Sequence, residues 1–170
     1  MSENVFEKFN ELFNSADLAK SVEEAANVGK SFEKKDVPFG DYEVRVSRLK
    51  VAPHEFEDDY KGMPELQVRY RIINHPELDG QTLFVNKKLA SLDSDPVERN
   101  RKSAFLIHQA NEILESLESG VHVKFDDIEQ YREMVDTIFN TIDGRAEYHL
   151  NYFENARGFK DYVILEKFEQ

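Results

Sequence analysis

Apolar residues recur along this chain with two different periods, and the change of period marks its elements. Within residues 3–28 the spacing is helical: Val5, Phe6, Phe9, Leu12 and Phe13 form one stripe, Asn14-Ser15 interrupts it, and Asp17 to Ala26 reads as a second, short helix. Residues 29–36 are polar and read as a linker. A turn at 37–41 then launches a strand in which Tyr42, Val44 and Val46 alternate with Glu43, Arg45 and Ser47. The phase slips by one residue, and Leu49 and Val51 become the apolar positions. Such a slip predicts a β-bulge and a sharp bend. After a loop at 52–64 with an acidic centre, Leu66, Val68, Tyr70 and Ile72 alternate with Gln67, Arg69 and Arg71, the clearest strand of the chain. A turn at 75–80 leads to a third strand, with Leu83 and Val85 on one face and Thr82, Phe84, Asn86 and Lys88 on the other.

Two helices follow. Asp95 as N-cap, Pro96 in the first turn and Glu98 closing a capping box predict the start of one, with Leu106, Ala110, Ile113, Leu114 and Leu117 as its apolar face and Gly120 as its end. Asp126 with Glu129 predicts a second box, before a helix lined by Ile128, Tyr131, Val135, Ile138 and Phe139 and closed by Asp143-Gly144. Ala146, Tyr148, Leu150 and Tyr152 then mark a fourth strand, 154–158 a turn, and 159–168 a fifth strand. The order is three strands, two helices, two strands, with a bent first strand. It predicts a mainly β fold with some α: a five-stranded OB-fold-like barrel with a helical insertion after strand 3. The expected organisation is an N-terminal helical appendage and linker over 1–36 and the barrel over 37–170.

Charge changes the picture. The chain carries 34 Asp and Glu against 22 Lys and Arg, a net −12. Yet segments 41–52, 66–73 and 80–90 hold Arg45, Arg48, Lys50, Arg69, Arg71, Lys87 and Lys88 against only Asp41 and Glu43. These strands are therefore +5 and the remainder −17. A basic sheet in an acidic protein has the electrostatics of a nucleic-acid groove, while the bulk charge opposes non-specific binding.

The chemistry of the remaining residues excludes most enzyme classes. Cysteine is absent, so there is no disulfide, thiolate nucleophile or thiolate metal site. Asn27-Val28-Gly29-Lys30-Ser31 is similar to the end of a phosphate-binding loop, but Glu24 stands where its first Gly belongs. The five histidines are scattered, and His108 with Glu112 has the spacing of a surface helical pair. The expectation is a protein that is not an enzyme, with no metal or cofactor. No run of 18 apolar residues exists and the N-terminus has no signal-like apolar region, so a cytoplasmic protein is expected.

The chain also resembles a family of uncharacterised tailed-phage proteins from replication and recombination modules. The likeness runs through the Phe-rich N-terminal helix, VPFGDYEVRV, LDGQTLF, FLIHQANEILESL and the ending DGRAEYHLNYFENARGFKDYVILEKF. It implies an OB-fold single-stranded DNA-binding protein of the host cytoplasm. Such a protein coats exposed strands with little sequence preference and cooperates with a phage recombinase, a helicase or a host replication protein. Self-association is compatible with it. Cations would track phosphates and aromatic rings would stack on bases. The candidates are Arg45, Arg48, Arg69, Arg71, Lys87 and Lys88 for charge, with Phe84, Phe153 and Phe159 for stacking. Arg157 and Lys160 join Phe159 in the Gly158-hinged turn. The 52–64 loop reads as a solvated or protein-facing surface. A rival reading takes the net −12 at face value: an acidic adaptor or DNA-mimicking inhibitor that binds no nucleic acid.

Overall fold

A computed structural model describes residues 34–169. The helices expected within 3–28 lie outside the described residues. The expected elements of the remainder form, in order: β1 (Gly40–Pro53), β2 (Pro64–Ile73), β3 (Thr82–Lys88), helix α1 (Pro96–Ser116), helix α2 (Ile128–Ile142), β4 (Glu147–Glu154) and β5 (Lys160–Lys167). All strand pairs are antiparallel, in the spatial order β3-β2-β1-β4-β5.

The 14-residue β1 is the hub. Its first half pairs with both β2 and β4, and its second half continues with β2 alone. The register with β2 shifts between Val46 and Arg48, where the apolar phase of the sequence slips. This bulge at Ser47 lets Val44 and Val46 before it, and Leu49 and Val51 after it, all reach the core. The opposite face gains by the same device. Arg45 and Arg48 are three apart, which in a regular strand would put them on opposite sides, yet both lie on the outer face beside Arg71 and Arg69.

The core side of the sheet is built from Val44, Val46, Leu66, Val68, Ile72, Tyr148 and Leu150, with α2 packed on β1. Leu114 of α1, the following Leu117, and Tyr131, Val135 and Ile138 of α2 complete it. The Tyr148 hydroxyl donates to the Leu117 carbonyl at 2.7 Å, tying β4 to the end of α1. Burial pushes that phenol up to about 12 and keeps it a donor.

Four expectations need correction. The barrel is not closed: β3 and β5 are the two edges of an open sheet, and α1 lies against both. Asp95 caps α1 by accepting from the Val97 N–H at 3.2 Å, but Glu98 pairs with Arg101 instead of returning to Asp95. The Asp95 N–H is taken by Asp93, so the box has no donor left to serve. The second N-cap is Asp127, one residue later than expected. Its carboxylate accepts from the Gln130 N–H, while the Gln130 side chain, and not Glu129, reaches back to the Asp126 N–H. Finally, α1 ends at Ser116 with Leu117 as its cap, short of Gly120.

Candidate nucleic-acid interface

The period-two alternation of β2 sends Val68, Tyr70 and Ile72 inward and Arg69 and Arg71 outward. Register then assembles the outer face. Arg48, Arg69 and Phe84 form one row across β1, β2 and β3. Arg45, Arg71 and Thr82 form the next on one side; Lys50, Gln67 and Asn86 form the next on the other. The Arg69 guanidinium lies 4.7 Å from the centre of the Phe84 ring and is held there by Asn86 Oδ1 at 2.8 Å and the Val85 carbonyl at 3.2 Å. Phe84 is nonetheless 55% exposed, so its ring remains open to a planar partner. Partial burial, and then the neighbouring Arg48, lower the Arg69 pKa. Two cations crowded in this way gain from an anion placed between them.

The cations differ in what already occupies them. Arg45 pairs with Glu147 at 2.6 Å. Among the described residues, Arg48 donates to the neutral Gln67 alone, at 2.8 Å. Lys88 sits 3.7 Å over the Tyr60 ring. Among the described residues, Arg71 and Lys50 make no ion pair. Lys50 was absent from the sequence candidates, although its position between Leu49 and Val51 was the signal that it faces outward.

The β1–β2 loop is more ordered than its composition suggests. His54 is buried and lies 2.8 Å from both Glu65, through Nδ1, and Asp58, through Nε2. Glu65 is also buried and accepts from Gln67, which in turn accepts from Arg48. A polar chain therefore runs from the loop to the outer face. Hydrogen bonds to Asp58, then to Glu65, raise the His54 pKa, and the same contact lowers that of Asp58. Glu55, Phe56, Glu57 and Asp59 are exposed, as a solvated surface requires. His54 corrects that reading, because it is a buried anchor of the loop. Among the described residues, no group of three or more His, Cys, Asp and Glu side chains could hold a metal ion.

The other sequence candidates fall elsewhere. Lys87 has the inward phase of Leu83 and Val85, and its ammonium reaches Gln109 of α1 instead of joining Lys88 on the outer face. Arg157, Phe159 and Lys160 belong to the β4–β5 turn, where Asn155 Oδ1 accepts from the N–H groups of residues 157 and 159 at 2.9 and 3.1 Å and Gly158 takes a positive φ of 81°. Lys87 and these three line a cleft between β3, β5 and α1 that shares Phe84 and Asn86 with the outer face. Phe153 joins neither group. It stands on β4 opposite Asp161, and His149 and Asn151 lie between it and Glu147, the partner of Arg45, along the outward phase of its own strand.

Compared with known proteins, the chain matches no family model, no curated protein and no solved structure. Among the described residues, no helix is long and apolar enough to cross a membrane.

Proposed function

We propose that this protein binds single-stranded DNA on the outer face of β1, β2 and β3. The observation that carries the reading is the row Arg48–Arg69–Phe84, a ring 55% exposed with the Arg69 guanidinium beside it, Arg48 next to Arg69 and Arg71 in the adjoining row. An exposed ring on a strand can stack on a base only when that base is unpaired, and the cations alongside are placed for its phosphates. Each stacked base contributes about 1–3 kcal/mol. The strand order and the bulged first strand suit an OB-type sheet, a fold that is often only partly closed and that takes its ligand on the face of strands 2 and 3. The likeness to tailed-phage proteins adds the setting: a coat for exposed strands in the host cytoplasm, working with a recombinase, helicase or host replication protein. Outside this face the chain is acidic, which disfavours duplex DNA approached without a fitted groove.

The test is fluorescence anisotropy with a labelled oligonucleotide, single-stranded and as a duplex, at low and moderate salt. Salt-sensitive binding of the single strand in preference to the duplex is expected. Failure to bind either at low salt would overturn the proposal and favour the acidic adaptor or DNA mimic.

A further inference from the structure

Three exposed phenylalanines on three different elements converge on the cleft beside this face. Phe84 of β3, Phe105 of α1 and Phe159 of the β4–β5 turn are 55%, 60% and 66% exposed, and all three line a cavity of about 760 Å³. Among the described residues none of the three rings contacts another ring; one face of Phe84 carries the Arg69 guanidinium, and Phe105 and Phe159 have no ring or cation contact. Large exposed aromatics grouped around one concavity mark a binding site more often than scattered surface residues do. The volume lies within the range of small-ligand sites, about 300–1,000 Å³. Lys87, Arg157 and Lys160 line the cleft against Glu112 and Asp161. Both carboxylates already have partners: Glu112 pairs with His108 at 2.9 Å, and Asp161 accepts from the Tyr162 N–H at 2.8 Å. Among the described residues the side chains of Arg157 and Lys160 have no partner and both residues are exposed, which leaves their charge available to a phosphate.

We infer that this cleft is a second base-stacking subsite, in which Phe105 and Phe159 receive bases of a strand that crosses the edge of β3 from the outer face. The inference rests on the single-stranded DNA reading above and extends it. Phe84 belongs to both surfaces, so a strand stacked there on the Arg69 side continues into the cleft without leaving the protein. The helix inserted after β3 thereby becomes part of the nucleic-acid site, and the failure of β3 to pair with β5 acquires a use: the gap between the two edges is the entry. A peptide strand adding to those edges is disfavoured. Asp161 blocks the Tyr162 N–H on β5, and α1 packs against both strands.

The experiment measures affinity of the full-length protein for oligo(dT) of about 20 nucleotides, longer than the 4–16 nucleotides of one OB-type site. The variants are Phe105→Ala, Phe105→Tyr, Phe105→Leu, Phe159→Ala and the double change Arg69→Ala/Arg71→Ala. Both phenylalanines are exposed, so their variants should melt as the wild type does, and either one tests the cleft alone. The expected result is a loss of about 5- to 150-fold for Phe105→Ala and for Phe159→Ala, the equivalent of one stacked base each. Phe105→Tyr should retain binding, and Phe105→Leu should lose it, because stacking needs a ring and not merely an apolar group. Wild-type affinity in Phe105→Ala and Phe159→Ala, with a loss in the double arginine variant, would overturn the cleft and leave the outer face standing. Wild-type affinity in Phe105→Leu would overturn stacking as the role of Phe105. No binding by the wild type would remove both sites together.

Discussion

Replacing Arg69 and Arg71 together by Ala should change the salt dependence of binding by a calculable amount. On the outer face, Arg48, Lys50, Arg69, Arg71 and Lys88 form no ion pair with a carboxylate among the described residues, whereas Arg45 is committed to Glu147. If each of these five meets one phosphate, binding of a single strand should fall with log salt at a slope of about −0.7 per contact, or about −3.5 in all. Raising salt from about 50 to 200 mM then weakens the wild type by about 100-fold. Removing two contacts brings the slope to about −2.1 and the loss over the same range to about 20-fold. Both side chains point away from the core, so the fold should survive. Arg69 also supports the Phe84 ring, so affinity at low salt should drop further than the loss of charge alone requires. The assay is anisotropy of a labelled oligo(dT) over a series of salt concentrations. A variant with the wild-type slope would show that these arginines do not meet phosphates.

Stability should depend on pH through the buried His54. Its raised pKa means that its contribution is complete below the ordinary value of 6.5 and is lost as pH rises through the raised one. Asp58, with a lowered pKa, contributes above its ordinary 3.8 and loses that contribution as pH falls through the lowered value. Melting temperature against pH should therefore fall on both sides, and the gap between the wild type and His54→Gln should close toward alkaline pH; a constant gap would refute the role of the charged form. Tyr148→Phe should cost about 1–3 kcal/mol in urea unfolding, because it strands the buried Leu117 carbonyl; an unchanged midpoint would show that water replaces the hydroxyl. Leu66→Ala, at a fully buried position, should cost about 2–5 kcal/mol in the same assay, and a loss below about 1 kcal/mol would mean that the core collapses around the gap.

What local alternation could determine, it determined well. The period of two in β2 assigns Val68, Tyr70 and Ile72 to the core and Arg69 and Arg71 to the outside, because successive side chains of a strand point to opposite faces whatever its partners are. The phase slip around Ser47 likewise signals the bulge, since a strand that keeps one face buried can change phase only by inserting a residue. Strand and helix positions, and the turn at Gly158, follow from the same short-range rules. Tertiary structure alone decided which strands become neighbours and in what register. It set Arg69 over Phe84 and brought Lys87, whose inward phase the alternation of β3 already gives, to Gln109 of α1. It buried His54 against Glu65, two residues that their sequence surroundings place in or beside an ordinary acidic loop. It also left β3 and β5 apart, with α1 beside both and Phe105 turned toward the gap. Facing is a property of one strand, whereas pairing, closure and the burial of a charged pair depend on residues far apart in the chain.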